Sequence, residues 1–122
     1  MEQMKITCTF IFTILLSFGL FADNDTIKDD QQNTYYADGT LKSVTHYKNG
    51  EIHGRFLRYY SDGTLKEKGK YRNNAVHGKW KKWYPNEELK SKAKYKEGKL
   101  HGKFTYFYPG GNIKSIKQFK NG

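Results

Sequence analysis

Residues 78–101 have the sequence GKWKKWYPNEELKSKAKYKEGKLH, and the same pattern returns every 24 residues along the chain. The dipeptide His-Gly marks each return and occurs at His53-Gly54, His77-Gly78 and His101-Gly102. A tyrosine keeps the same register in four copies: Tyr36, Tyr60, Tyr84 and Tyr108. A fixed period of this length is the signature of a repeat architecture. Because repeats stack into extended surfaces, the period favours a binding surface over a single catalytic cleft.

Each copy has the pattern of a β-hairpin. Residues 78–84 are rich in aromatic side chains and lack a helical stripe, which is typical of a strand. In residues 89–95, Leu, Ser, Ala and Tyr alternate with lysines, which is the pattern of a half-buried return strand. Asp-Gly in residues 37–40 and 61–64 indicates tight turns, because glycine accepts a positive φ without steric cost. Residues 85–88 lack this glycine, so the sequence predicts a looser third turn.

The hairpins follow one another without an intervening helical pattern, and this order predicts the fold class. We expect an all-β protein, an elongated antiparallel meander of repeated β-hairpins with about eight strands. The repeat domain spans residues 34–122 and divides into copies at 34–53, 54–77, 78–101 and 102–122. We expect the first copy to lack its leading strand, because glutamines occupy the positions of Arg55 and Phe56 one period earlier.

Residues 1–22 predict a secretory signal peptide, a signal helix that precedes the repeat domain. A short start with one lysine is followed by apolar and small residues from Ile6 to Ala22, and a polar stretch comes next. We expect cleavage near Ala22 and export to the periplasm, the cell surface or the medium. An uncleaved membrane anchor is the alternative, although the run is slightly shorter than the roughly 20 residues of a typical span.

Charge divides the remainder of the chain into two parts. Residues 23–33 carry a net charge of −3 and predict a disordered acidic linker. Residues 34–122 contain 20 Lys and Arg against 7 Asp and Glu, a net charge of +13 within the overall +10. A domain this basic attracts anionic surfaces and repels copies of itself. The only cysteine, Cys8, lies in the signal segment, so the mature chain has no disulfide and no thiol nucleophile.

The repeated motif resembles that of a known family. Its order is His-Gly, two aromatic positions, Tyr, Asp/Asn-Gly and Leu-Lys, followed by another Tyr and an Asn-Gly. This order resembles the MORN repeat and is most similar to the bacterial variant found in proteins called YwqK-type antitoxins. The resemblance covers about residues 34–122. It implies a ladder of β-hairpins, no intrinsic catalysis, and a role in protein contact, scaffolding or membrane association.

No group of residues in the sequence indicates catalysis or a metal site. The chain lacks a glycine-rich phosphate loop and a nucleophile elbow. Equivalent histidines of adjacent copies are two strands, or about 9.6 Å, apart in the expected sheet. Zinc needs nitrogen ligands at about 2 Å, so we expect each histidine to pack at the entry to its hairpin. We therefore predict that the protein is not an enzyme and takes no cofactor.

Two sets of repeated side chains form the candidate interaction surface. Strand alternation puts two lysine triplets on one face: Lys66, Lys68, Lys70, Lys90, Lys92 and Lys94. An aromatic row shares the parity of Arg55, Lys79 and Lys81 and is predicted to be exposed: Tyr59, Trp83 and Phe107. The alternative explanation is structural, since lysines keep a sheet soluble and stacked aromatic pairs stabilise it.

The leading functional hypothesis is a non-enzymatic exported repeat protein that acts in protein–protein or cell-surface interaction through its basic, aromatic β-sheet. The expected partner is a protein or an anionic cell-surface component, such as a lipid headgroup or an acidic glycan. Nucleic acid fits the charge but is a weaker candidate for an exported protein. Two alternatives remain open: an antitoxin-like partner of a toxin protein, and a membrane or anionic-lipid binding module.

Overall fold

The computed structural model describes residues 29–122, and the predicted signal peptide lies outside these residues. Ten β-strands form in this part of the chain. Their bounds are β1 (Asp29–Tyr35), β2 (Leu41–Lys48), β3 (Glu51–Tyr59), β4 (Leu65–Arg72), β5 (Ala75–Val76), β6 (Gly78–Trp83), β7 (Leu89–Lys96), β8 (Lys99–Leu100), β9 (Gly102–Phe107) and β10 (Ile113–Phe119).

The strands form one open antiparallel sheet. Their order is β1-β2-β3-β4-β6-β7-β9-β10, while β5 pairs with β4 and β8 pairs with β7. Strands that follow one another in the chain are therefore neighbours in space, and the predicted all-β antiparallel class is confirmed. Residues 29–122 contain no helix, and so no helix in this range could cross a bilayer.

The sheet has ten strands rather than about eight because two connections between copies contain short strands of their own. β5 and β8 have two residues each and pair with the ends of β4 and β7. The backbone then has a positive φ of 80° at Gly78 and 83° at Gly102, where the next long strand starts. This change of direction separates each short strand from the long strand that follows it.

The first strand corrects the predicted boundary between linker and repeat domain. Residues 29–33, expected in the linker, lie in β1 and pair with β2. The register of β1 on β2 repeats that of β3 on β4, including an irregularity just before Tyr35 and Tyr59. The first copy therefore has its leading strand. Ladder hydrogen bonds hold β1, although every one of its residues is exposed, so the strand needs no apolar side chains.

The third hairpin turn is as tight as the others. The Tyr84 amide donates to the Glu88 carbonyl at 2.8 Å, and the Glu87 amide donates to the Tyr84 carbonyl at 3.0 Å. The corresponding bonds at Tyr60 have the same lengths. Glu87 has a φ of 67°, in the left-handed region that Gly63 occupies in the second copy. The prediction of a looser turn is wrong, because pairing of the flanking strands holds a non-glycine residue in this conformation.

Strand register separates two faces of the sheet, because directly paired residues point to the same side. The aromatic face carries Phe56, Tyr71, Trp80, Tyr95, Phe104 and Tyr106. The lysine face carries Arg55, Lys68, Lys70, Lys79, Lys81, Lys92 and Lys94. Most of the core lies on the aromatic face, where Phe56 and Trp80 are each 7% exposed and stack with ring centroids 5.5 Å apart. The third buried hydrophobic residue of the described part, Val44, is paired with Leu57 and lies on the other face.

The stacked rings meet over Gly69, which lies on β4 between them. Phe56 is opposite Gly69 across the β3–β4 ladder, and a Cβ on Gly69 would overlap the benzene ring of the Trp80 indole. The same row continues with Ala93, which is paired with Trp80. Small residues thus alternate with large ones across the strands. In a sheet without a covering layer, this alternation lets the aromatic rings bury one another.

A ladder of tyrosine hydroxyls connects successive copies at the edge where the hairpin turns lie. The hydroxyl of Tyr36 donates to the Tyr59 carbonyl at 2.7 Å. Tyr60 donates to the Trp83 carbonyl and Tyr84 to the Phe107 carbonyl, both at 2.8 Å. Loss of solvation raises the pKa of the Tyr60 and Tyr84 hydroxyls, as expected for groups that are partly covered by the next copy. The same hydrogen bond therefore recurs every 24 residues, with the period of the sequence.

We expect Tyr84→Phe to lower the free energy of unfolding by about 1 kcal/mol, because it leaves the Phe107 carbonyl without its hydroxyl donor. Tyr108→Phe is the matched control, since no residue in the range 29–122 accepts a hydrogen bond from the Tyr108 hydroxyl; its cost should stay within about 0.5 kcal/mol. Urea denaturation of dilute protein measures both values. Equal costs for the two variants would show that the ladder does not stabilise the fold.

Candidate interaction surface

The centre of the lysine face is a row of three lysines on three adjacent strands. Lys68 on β4 is paired with Lys81 on β6, and Lys81 is paired with Lys92 on β7. All three side chains are exposed. Neighbouring strands are about 4.8 Å apart, so these positions put three ammonium groups on one short line across the sheet.

A basic groove lies beside this row, between β4 and β6. The two strands pair at only two positions, Glu67–Lys82 and Lys68–Lys81. Just before β6, the His77 amide donates to the Lys70 carbonyl at 2.9 Å, so the pairing is interrupted only between these two points. The resulting groove has a volume of about 620 Å³. Its lining includes one aromatic side chain, Trp83, and six cationic ones: Arg55, Lys68, Lys70, Arg72, Lys79 and Lys81. A second hollow of about 420 Å³ continues the surface toward Lys92, Lys94 and Lys103.

The aromatic face, by contrast, neutralises its cations with a buried carboxylate. Glu67 is 8% exposed and accepts a hydrogen bond from the Trp80 indole Nε1 at 2.7 Å. Its carboxylate oxygens lie 3.5 Å from Arg58 and 3.2 Å from Lys82. These are the two ion pairs of residues 29–122, and both lie on the aromatic face. Unpaired positive charge is therefore concentrated on the lysine face.

The structure separates the six predicted lysines into two groups. Lys68, Lys70, Lys92 and Lys94 are exposed on the lysine face and contribute to its two hollows. Lys66 and Lys90 are half-buried near the hairpin turns, where their Nζ atoms lie 5.2 and 5.4 Å from the ring centroids of Tyr60 and Tyr84. Each of these two lysines sits at a register irregularity of its ladder, which removes it from the regular alternation.

The predicted aromatic row joins the lysine face but is less exposed than expected. Tyr59, Trp83 and Phe107 are all half-buried. Trp83 lines the basic groove, and the Nζ atom of Lys92 lies 5.7 Å from the ring centroid of Phe107. Their backbone carbonyls accept the hydroxyl hydrogen bonds of Tyr36, Tyr60 and Tyr84 from the preceding copy.

Four cations of the groove are absent from the predicted surface: Arg55, Arg72, Lys79 and Lys81. Arg55, Lys79 and Lys81 face Lys70, Lys94 and Lys92 across their ladders. Arg72 instead lies on β4 itself, two residues after Lys70. Alternation within one strand identifies residues on a common face of that strand. Extending the alternation of Lys68 and Lys70 by one position would have found Arg72. Alternation does not give the register between strands, so the signal that would have found the other three is the pairing of leading and return strands.

Two of the three repeated histidines accept backbone hydrogen bonds at the opposite edge of the sheet, whereas the buried Nδ1 atom of His101 has no partner in residues 29–122. The Asn73 amide donates to His53 Nδ1 at 3.4 Å, and the Glu97 amide donates to His77 Nδ1 at 3.5 Å. Both donors are turn residues of the following connection. In the described part of the chain, no group of three or more His, Cys, Asp or Glu residues could hold a metal ion.

Comparison with known protein families gives a match along the whole repeat domain. The model of the MORN repeat variant matches residues 31–49, 52–73, 76–97 and 100–121. The chain belongs to the MORN repeat variant family. Four MORN repeats indicate a repeat protein involved in binding or interaction. The resemblance to antitoxin-type members of the family stays a prediction.

Other comparisons add little to this family assignment. No curated protein matches the MORN chain. A solved structure, "Crystal structure of accessory secretory protein 1,2 and 3 in Streptococcus pneumoniae", aligns with a TM-score of 0.43 and 15% identity. The alignment covers 92% of the MORN chain and 23% of that chain, so the MORN chain spans less than a quarter of its length.

Proposed function

We propose that this MORN repeat chain is an exported, non-enzymatic interaction protein that binds an anionic partner on its lysine face. The partner is an acidic protein surface or an anionic cell-surface component, such as a lipid headgroup or an acidic glycan. The observation that carries the proposal is the basic groove, which is lined by six cationic side chains and Trp83. Both ion pairs of residues 29–122 lie on the other face, which leaves these cations available to a ligand.

The pairing of like charges supports this assignment. Lys68, Lys81 and Lys92 are directly opposed on neighbouring strands, and Lys79 is opposed to Lys94. Like charges in such positions destabilise a sheet. A lysine face that served solubility alone would gain stability from alternating Lys with Glu. A bound polyanion screens the repulsion between these lysines and releases its own condensed counter-ions. Both effects favour binding to the lysine face.

The aromatic side chains give the surface an apolar component next to its charge. Trp83 lies in the groove with the cationic groups, and Phe107 lies under Lys92. Aromatic rings with one apolar and one polar side suit sugar rings, peptide side chains and the interface of a bilayer. The combination favours a ligand that has both negative charge and apolar surface.

We expect the triple variant Lys68→Gln/Lys70→Gln/Lys81→Gln to bind vesicles of anionic phospholipid about 100-fold more weakly than the unmodified chain. The estimate assigns about 1 kcal/mol to each lysine close to the charged surface. A second triple variant, Lys48→Gln/Lys96→Gln/Lys99→Gln, removes the same charge from the turns that connect copies and should stay within about threefold. Vesicle sedimentation at physiological salt measures all three proteins, with zwitterionic vesicles as the reference.

The same variants compared on a sulfated glycan and on an acidic protein distinguish the partner classes. Equal loss of binding in the two triple variants would show that net charge, rather than the groove, attracts the ligand. No binding of the unmodified chain to any anionic probe would overturn the proposal. Cell fractionation with mass spectrometry of the mature N-terminus tests export separately, since an intact chain in the cytoplasm contradicts it.

A further inference from the structure

The open sheet of the MORN domain ends in two strands with one free side each. β1 pairs only with β2, and β10 pairs only with β9, among residues 29–122. A free strand edge presents unpaired amide and carbonyl groups and is a template for another strand. β1 is the leading strand of the first copy, and β10 is the return strand of the last copy. In the interior of the sheet, every return strand is followed by a leading strand.

The large hydrophobic side chains that remain exposed lie at these two ends. In the described part of the chain they are Tyr35 in β1, at 56%, and Tyr108, Ile113 and Ile116 in the last hairpin, at 49, 57 and 52%. The interior equivalents are better covered. Val44, three periods before Ile116, is 8% exposed, and Leu41, three periods before Ile113, is half-buried. Among residues 29–122, no strand pairs with the outer edge of β1 or of β10, which leaves these end positions exposed.

The tyrosine ladder is incomplete at the same end. Tyr36, Tyr60 and Tyr84 each donate to the backbone carbonyl of the last residue in the next leading strand. Tyr108 is the fourth member of the series, and no residue in the range 29–122 accepts its hydroxyl proton. The missing acceptor is the carbonyl of a residue equivalent to Tyr59, Trp83 and Phe107. Tyr35, which lies 24 residues before Tyr59, occupies the same position in the first copy, and no tyrosine hydroxyl of residues 29–122 donates to its carbonyl.

β1 has the register that a leading strand would need in order to pair with the free edge of β10. β1 has the same pairing and the same irregularity as the interior leading strands, so it presents its outer edge as they do. In the interior, Ser43 is paired with Arg58 and Val44 with Leu57. Carrying this register to the end of the sheet pairs Ser115 with Thr34 of a second copy. The Tyr35 carbonyl of that copy then lies where the Tyr108 hydroxyl finds its acceptor.

Charge at the two ends is opposite, although the domain as a whole is basic. β1 begins with Asp29 and Asp30, both exposed. The last hairpin carries Lys114 and Lys117, and Lys120 follows β10; all three are exposed. Contact between the ends therefore brings acidic and basic groups together while the lysine faces stay side by side. Face-to-face contact between copies would bring like charges together.

We propose that β10 of one molecule pairs with β1 of a second copy of this chain, so that the sheet and its tyrosine ladder continue across the contact. The surface on β10 differs from the surface on β1, so the contact is heterologous and leads to head-to-tail chains rather than closed dimers. Continuation of the sheet also extends the lysine face, and a longer row of cations binds a polyanion with greater avidity. The proposal does not depend on what the lysine face binds.

Sedimentation velocity over a range of protein concentrations tests the contact. The unmodified chain should form species of increasing length that shorten as salt is raised, because opposite charges meet at the contact. Ile116→Lys, which adds charge to the β10 edge, and Asp29→Lys/Asp30→Lys, which reverses the charge of β1, should each give monomers. Tyr108→Phe should weaken the contact about fivefold through the loss of one hydrogen bond.

Mixing the two edge variants is the decisive experiment. Each variant keeps one competent edge, so the mixture should give a one-to-one dimer and no longer species. Lys48→Gln is the control for a surface change away from both edges and should associate like the unmodified chain. Circular dichroism and thermal unfolding confirm that the variants are folded, which is expected because all the altered side chains are exposed. A monomeric unmodified chain, or a mixture that does not associate, overturns the proposal.

Discussion

Gly69→Ala should lower the free energy of unfolding by about 3 kcal/mol, although it adds a single methyl group. The Cβ would occupy space taken by the benzene ring of the Trp80 indole, which lies flat over β4. Trp80 would have to leave its stack with Phe56 and its hydrogen bond to Glu67. Chemical denaturation, followed by the fluorescence of the tryptophans, measures the loss.

The control for this substitution is at Lys68, the residue just before Gly69 on the same strand. Lys68→Ala alters an exposed side chain on the lysine face and removes one member of a row of like charges. Its effect should stay within about 0.5 kcal/mol, in the stabilising or the destabilising direction. A cost for Gly69→Ala no larger than that of Lys68→Ala would contradict the packing of Trp80 over the glycine.

Trp80→Ala should cost about 4 kcal/mol, the largest effect of any single truncation in the described sheet. The indole stacks on Phe56 at 5.5 Å and meets Tyr71 and Tyr95 edge-on at centroid distances of 5.5 and 6.3 Å. Its removal also takes away the Nε1 donor of the buried Glu67 carboxylate. Trp83→Ala is the matched control, and it should cost less than half as much because Trp83 is half-buried at the rim of the groove.

The two substitutions together isolate the contact between residues 69 and 80. In a Trp80→Ala background, Gly69→Ala no longer meets the indole. It should then be neutral or stabilise the fold by up to about 1 kcal/mol, because alanine loses less backbone entropy than glycine in a strand. If the cost of about 3 kcal/mol persisted in that background, strain in β4 itself, and not overlap with Trp80, would be its cause.

The repeat pattern was sufficient to predict the hairpins and their order. The period of 24 residues, the Asp-Gly turns and the alternation in residues 65–71 and 89–95 gave the antiparallel sheet that the structure has. These signals are local, since a turn and its two strands lie within one copy. The same local signals failed at two places. β1 forms without an apolar pattern because hydrogen bonds to β2 hold it in the sheet. Glu87 adopts a backbone conformation typical of glycine because the strands on either side fix its hairpin.

The candidate surface was predicted in part. Lys68, Lys70, Lys92 and Lys94 follow from alternation along a single strand, and the structure places them on one face. Arg72 continues the alternation of Lys68 and Lys70 along β4 and also lines the groove. The places of Arg55, Lys79 and Lys81 beside those lysines depend instead on the register between strands. Lys66 and Lys90 pack on tyrosines instead, since each lies at an irregularity that alternation does not reveal.

The sequence by itself determined the repeated hairpins, their antiparallel order and the basic character of the domain, because each depends on neighbours in the chain or on composition. Only the tertiary structure decided which side chains share a row: Phe56, Gly69 and Trp80 on one face, and Lys68, Lys81 and Lys92 on the other. It also showed that the tyrosine ladder lacks an acceptor at Tyr108 within residues 29–122. The physical reason is register, since a shift of one residue between strands exchanges the two faces, and register is set by pairing across copies.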